Sequence, residues 1–212
     1  DVLPAISGVT IEVDSTDGFH DEDRLPLQRR GDVASVRFEL VRPQLWWPAC
    51  MEGEQALYDV AVKLLVDGRY VDERSATIGL TSVRRPVTHG ERTLIINGRE
   101  CPIRDVMSID LKDEEGLLPV GGDAIVIVRG HWGPDVLYDA ADRAGLLIIQ
   151  CVPIHPEGRF EVDVVHAVDR LVRHPSLAGW YVGHLGSIRE RMAYCLRSLD
   201  PTRQVFRDMP AA

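Results

Sequence analysis

Three histidines and a cysteine are spaced to reach neighbouring strand tips if the second half of the chain is a run of parallel strands. They are His131, Cys151 or His155, and His184. Imidazole and thiolate groups gathered in that way could take zinc, which accepts N and S ligands at four-coordinate sites. The spacing of His131, Cys151 and His184 matches no local metal motif, however, so neither a metal nor a cofactor is expected. The stretch that sets the geometry runs from His174-Pro175-Ser176 through Trp180 to Gly183-His184-Leu185. Ala178 to Gly183 reads as a short strand buried on both faces, which between helices belongs to a parallel α/β sheet. Residues just past such a strand face the reaction space. Here they are His184, which can hydrogen-bond, and Leu185, which cannot transfer a proton.

The elements that must position these groups begin at Arg92. Leu94 to Arg99 is a strand running into an Asn97-Gly98 turn, and Glu100 to Val106 returns from it. Ala124 to Val128 is a continuous β-branched run. The helix that follows has Pro134 at its first position, Asp135 at the positive dipole end and Gly145 as its left-handed stop. Leu137, Ala140, Ala141 and Ala144 make its apolar stripe. Leu146 to Val152 is the next strand. Glu161 to Arg173 is a second helix, with Val164, Val165, Val168, Leu171 and Val172 at helical spacing. A third runs from Ile188 to Leu199, and Val205-Phe206 begins a fifth strand. The alternation is that of βα units. Asp113 to Gly122 reads as a loop where a first crossover helix would be needed.

The first half carries a different rhythm. Ile6 to Val13, Val33 to Val41, Ala56 to Val66 and Tyr70 to Val83 are β-rich, and Asp67-Gly68 marks a hairpin. Asp14 to Arg30 is acidic and contains proline, and it reads as a long loop. An antiparallel β-sandwich follows from this pattern. Trp46 and Trp47 are read as a plug at one end of it, in preference to a platform for stacking a sugar.

Composition narrows the partners. The chain has 212 residues, 45% hydrophobic and 27% charged, with a formal net charge of −9. That charge argues against nucleic acid. No apolar run approaches the roughly 18 to 20 residues that span a bilayer, so no membrane segment is expected. Cys50, Cys101, Cys151 and Cys195 form no C-x-x-C pair, which speaks against a zinc knuckle or a dense disulfide framework. No charged-then-apolar leader is visible. The chain opens almost directly on a strand, as a piece of something longer would.

Together these motifs resemble glycoside hydrolase family 2, the family of β-galactosidases, β-glucuronidases, β-mannosidases and exo-β-glucosaminidases. Leu45-Trp46-Trp47-Pro48, Leu57-Tyr58-Asp59-Val60 and Ile78 to Val83 are similar to markers of its immunoglobulin-like domain, with Thr81 where Arg is usual. Gly53-Glu54-Gln55 after the tandem Trp is most similar to the β-mannosidase and exo-β-glucosaminidase branches. Arg129-Gly130-His131-Trp132 resembles the end of the second barrel strand, although Asp105 follows Arg104 where the family shows Arg-Gly. The phrase from Leu137 to Leu147 resembles the helix and turn before its third strand. His174-Pro175-Ser176, Trp180 and Gly183 resemble its fourth.

The resemblance implies an immunoglobulin-like antiparallel sandwich over residues 1–88. It implies the N-terminal part of a TIM-type (β/α)8 barrel over residues 89–212. A complete barrel needs eight strands and about 250 residues, so a truncated or shortened relative is expected. In the family, Asn-Glu follows Gly183's position and the Glu is the general acid/base. His184 and Leu185 stand there instead, and the nucleophile belongs to a seventh strand. Retaining glycosidases need two carboxylates about 5 to 5.5 Å apart, so the chain is expected to be inactive. Glu190 and Asp208 are the nominees for a relocated carboxylate, with a solvated surface role the preferred reading for both. Arg129, His131, Trp132 and His184 are the implied sugar-site residues, and a β-linked sugar is the implied ligand. The alternative is a non-catalytic carbohydrate-binding or assembly module. The open side of a partial barrel would also expose apolar surface and strand edges, and self-association is expected from that.

Overall fold

The computed structural model describes residues 6–15, 20–25, 28–30, 33–35, 39–66, 69–86, 93–111, 124–153 and 160–208. The chain divides into two compact units, Asp1–Gln44 with Ala56–Ile78, and Leu45–Gln55 with Gly79–Ala212.

The first unit is antiparallel β-structure. It comprises β1 (Ile6–Ser15), β2 (His20–Leu25), β3 (Gln28–Arg30), β4 (Val33–Ser35), β5 (Tyr58–Val66) and β6 (Arg69–Ile78). A four-stranded sheet has the order β2-β1-β5-β6, and β3 pairs with β4. The loop expected over residues 14–30 is therefore largely strand, with Glu12 opposite Glu22 and Asp14 opposite His20. The acidic sequence concealed it because β2 is an edge strand, where charge is tolerated and blunts edge-to-edge association. The Asp67-Gly68 turn lies outside the described residues, but Val66 and Arg69 pair across it. The strand expected to reach Val41 does not continue over residues 39–41.

The second unit opens with a small antiparallel sheet, β7 (Val83–Arg84), β8 (Thr93–Ile96) and β9 (Arg99–Pro102). Asn97 and Gly98 both have positive φ, 49° and 82°, as a two-residue hairpin turn requires. The return strand expected from Glu100 to Val106 is two elements. Pro102 has no N–H to extend the ladder, and β10 (Asp105–Asp110) starts a new, parallel sheet. That sheet continues with β11 (Ala124–Arg129), β12 (Leu147–Cys151), β13 (Leu177–Tyr181) and β14 (Gln204–Phe206), in strict chain order. Residues 112–123, including the expected Asp113 to Gly122 loop, lie outside the described set.

Helix α1 (Asp135–Ala144) joins β11 to β12 and α2 (Phe160–Leu171) joins β12 to β13. A 3₁₀ segment, Gly183–Ile188, and α3 (Arg189–Leu199) lead to β14. Parallel crossovers are right-handed, so an unreversed strand order puts all three helices on one face. Val126, Val128, Ile148, Trp180 and Val205 meet Leu137, Val164, Leu171, Met192 and Leu196 there. Pro134 is the N-cap of α1, one position before the first helical residue, and Gly145 caps it at φ 70°. The buried stripe is Leu137, Tyr138, Ala141 and Asp142, whereas Ala140 and Ala144 are exposed. Two polar side chains displaced the alanines because each has a buried partner, described below.

On the opposite face Ile125, Ile127, Leu147, Ile149 and Phe206 are no more than 3% exposed. Gly179 matters here: a Cβ on it would stand 2.4 Å from the Gln204 carbonyl and 2.6 Å from the Phe206 ring.

Trp46 is fully buried, and its segment folds with the second unit, which corrects the expected plug at a sandwich end. Its indole N–H donates to the Asp142 carbonyl at 2.8 Å, its backbone N–H to Leu80 O, and its carbonyl accepts from Asn97 Nδ2. Trp46→Phe is expected to cost about 2 kcal/mol, from one buried carbonyl left unpaired and a void the size of the lost ring. Urea unfolding should show a lower midpoint with an unchanged slope.

Candidate site at the carboxyl ends of the parallel strands

Register places Asp110 opposite Arg129, and Cys151 opposite Tyr181, which pairs in turn with Phe206. These residues form the carboxyl edge of the sheet. His184 follows, in the 3₁₀ segment. Its Nε2 lies 2.8 Å from the Val152 carbonyl and its ring stacks on Tyr181 at 5.4 Å, with the planes 16° apart. A ring nitrogen facing a carbonyl must carry the proton, so Nδ1 is left as the acceptor. Burial holds the His184 pKa below its ordinary value; the Val152 bond opposes this and the nearby Arg129 charge adds to it. The group is a neutral hydrogen-bonding imidazole near pH 7.

Cys151 is pushed up to about 12, first by burial, which outweighs the adjacent Arg129 guanidinium. A thiol so placed stays protonated at neutral pH. Tyr181 is also raised, by burial and then by Cys151 and Asp208. His131 is exposed, and its carbonyl, not its ring, is engaged, accepting from Gln150 Nε2 at 3.0 Å. Among the described residues, the group of three potential ligands within 4.8 Å of one another is Asp139, Asp142 and His174. His131, Cys151 and His184 are not brought together in that way, and His155 lies outside the described residues. The Asp142 carboxylate is already committed, Oδ2 to His174 Nδ1 at 2.7 Å and Oδ1 to the Ser176 N–H at 3.0 Å. That cluster ties the His174-Pro175-Ser176 loop to α1, in keeping with a structural role for His174.

Trp132 has a partner on the helix side. It packs edge-on against Trp180, with centroids 6.2 Å apart, and lines an open groove of about 570 Å³ with His166, Ala167 and Arg170 of α2. Arg170 itself is held by Asp135 and by the Gly133 carbonyl.

Leu185 does not face the strand ends. β13 stops at Tyr181, two residues earlier than expected, and the chain turns at once into the 3₁₀ segment, where Leu185 N–H donates to Val182 O at 3.0 Å. The side chain is 6% exposed and joins the helix-side core with Trp180, Met192 and Leu196. An isobutyl group leaves water wherever a packed apolar surface is in reach, which a carboxylate would not do.

Glu190 is exposed and gripped by Arg207, at 3.0 and 2.8 Å. Those hydrogen bonds hold its carboxyl below the usual range, with Arg189 adding to the effect. Asp208 is exposed past β14. Neither is desolvated as a general acid must be to keep its proton at neutral pH.

One site-shaping residue was missed. Gln150 is fully buried in β12, where its Oε1 accepts from Gly133 N–H at 3.1 Å and Tyr138 O–H at 2.7 Å. Its Nε2 reaches the carbonyls of His131 and Cys151. The signal was present: a lone polar residue inside an otherwise unbroken apolar strand requires internal partners.

The family model for glycosyl hydrolases family 2 matches residues 6–80. A β-mannosidase B from Aspergillus terreus is 28% identical over 219 aligned residues, covering 89% of this chain and 26% of that protein. An exo-β-D-glucosaminidase from Streptomyces avermitilis is 30% identical over 121 residues, covering 52% of this chain and 13% of its own length. Among solved structures, the β-D-mannosidase from Dictyoglomus thermophilum superposes with a TM-score of 0.69 at 17% identity, over 96% of this chain and 31% of that one. The chain spans about a quarter of the length of the β-mannosidases it matches. Taken together with the antiparallel unit followed by parallel βα units, these matches make the chain a glycosyl hydrolase family 2-like protein.

Proposed function

We propose that the chain derives from an exo-acting β-glycosidase of the β-mannosidase and exo-β-glucosaminidase branch and does not itself hydrolyse glycosides. The observation that carries this is Leu185, which stands at the family's acid/base position and is buried in the helix-side core. Of the two carboxylates nominated to replace it, Glu190 is exposed and held by Arg207, and Asp208 is exposed past β14. The strict strand order, with the three described helices on one face, supports reading the parallel sheet as the opening strands of a TIM-type barrel. By the same resemblance the antiparallel unit is read as the immunoglobulin-like sandwich.

The carboxyl ends of the strands keep a polar rim. Asp110, Arg129, Tyr181 and the Nδ1 acceptor of His184 offer charged and neutral hydrogen-bonding groups of the kind sugar hydroxyls engage. This favours residual recognition of a β-linked sugar as the second reading.

The test is a panel of fluorogenic β-mannoside, β-glucosaminide, β-galactoside and β-glucuronide substrates. We expect no turnover above the uncatalysed rate, with saturation-transfer NMR showing weak contact to mannose or glucosamine. Turnover abolished by Glu190→Gln or Asp208→Asn would reveal a relocated carboxylate and sink the inactive reading.

A further inference from the structure

We propose that Cys50 and Cys101 form a reversible disulfide that staples the Trp46 segment to the β8–β9 hairpin. The two Sγ atoms lie 3.5 Å apart although 51 residues separate them in sequence. Both belong to the second unit. Their surroundings differ in the way a two-step exchange needs. Cys50 is partly exposed, in the turn closed by Met51 N–H to the Pro48 carbonyl, whereas Cys101 is 2% exposed, on β9 opposite Leu94. A disulfide needs the sulfurs about 2.05 Å apart, and an exposed turn can shift where a paired strand cannot.

The chemistry is ordinary thiol–disulfide exchange with a low-molecular-weight disulfide as oxidant. The Cys50 thiolate attacks one sulfur of that disulfide, breaking its S–S bond and releasing one small thiolate. The Cys101 thiolate then attacks the Cys50 sulfur of the mixed disulfide, forming the Cys50–Cys101 bond and releasing the second. Two electrons pass from the cysteine pair to the oxidant, and the two cysteine protons end on the released thiols or in water. A dithiol reductant reverses both steps. Of the other cysteines, Cys151 is a buried, raised thiol at a strand end and Cys195 lies on α3.

The bond would fix the segment from Leu45 to Gln55, which already holds the buried Trp46 and the half-buried Trp47 under the Arg99 guanidinium. Closing a loop of this length removes much freedom from the unfolded chain.

The experiment uses the whole chain, folded, treated with oxidised glutathione, alkylated and mapped by peptide mass spectrometry without reduction. We expect peptides carrying Cys50 and Cys101 joined and lighter by two hydrogens. We also expect a thermal midpoint raised by roughly 5–10 °C, both effects reversed by dithiothreitol and absent in Cys50→Ser. Cys50 left as a stable glutathione adduct with Cys101 recovered as a thiol would overturn the proposal. A cross-link without a thermal shift would refute the stapling. The mapping needs only the unsubstituted chain, so the outcome stands even if a variant folds poorly.

Discussion

Replacing Leu185 with Glu is expected to yield no glycosidase turnover and to destabilise the α/β unit by about 2–4 kcal/mol at pH 7. The reasoning runs through packing. Leu185 is 6% exposed among Trp180, Met192 and Leu196, so the substitution puts a carboxyl into apolar surroundings instead of over the strand ends. Burial raises a carboxyl's pKa above the roughly 4.3 of the unfolded chain. Between those two pKa values the folded state binds more protons than the unfolded one, so stability falls as pH rises. Measured against the unsubstituted chain, the ionisation penalty should be absent below about pH 4, grow through the raised pKa, and be complete above it. Urea unfolding at several pH values, run beside the substrate panel, checks both halves. A pH-independent loss together with new hydrolysis would mean that the carboxyl swings to the strand ends and that the backbone there is still competent.

A second large effect is expected at Asp142. Asp142→Ala should remove about 3–5 kcal/mol of stability. The residue is 2% exposed, and its carboxylate satisfies the His174 ring at 2.7 Å and the Ser176 N–H at 3.0 Å. Both partners are fully buried, so truncation leaves a ring nitrogen and a backbone donor without water or protein to bond. The loss should spread to β13, because His174-Pro175-Ser176 leads straight into it. Hydrogen exchange should report faster opening of Leu177 to Tyr181. Asp139 makes the useful contrast. It stands 3.8 Å from the same ring and is one-third exposed, so Asp139→Ala is expected to change stability by less than about 1 kcal/mol. Equal losses at the two positions would show that the cluster works by charge and not by buried hydrogen bonds.

These two positions also show how unevenly the sequence speaks. The alternation of apolar strands with punctuated helices was legible because each βα unit buries one face of a helix against a strand, which leaves a periodic imprint. The stop of α1 at Gly145 and the Asn97-Gly98 turn were legible because positive φ restricts the choice of residue. β2 was hidden, since a strand at a sheet edge need not look apolar. The stripe of α1 was misread for a related reason: periodicity favours alanine over Tyr138 and Asp142 unless Gln150 and His174 are known to await them.

By itself, then, the sequence determined the kinship with family 2, the alternation of βα elements in the second half and that residue 185 is a leucine, which cannot transfer a proton. Those follow from local residue types and their spacing, which no folding step can alter. Only the tertiary structure decided that Leu185 turns into the core, that Glu190 belongs to Arg207 and that Trp132 lines a groove against α2. It alone brought Cys50 to Cys101 and Trp46 to Asp142. Each of these is a meeting of side chains far apart along the chain or on different elements, set by how helices pack on a twisted sheet, and such meetings leave no period to read.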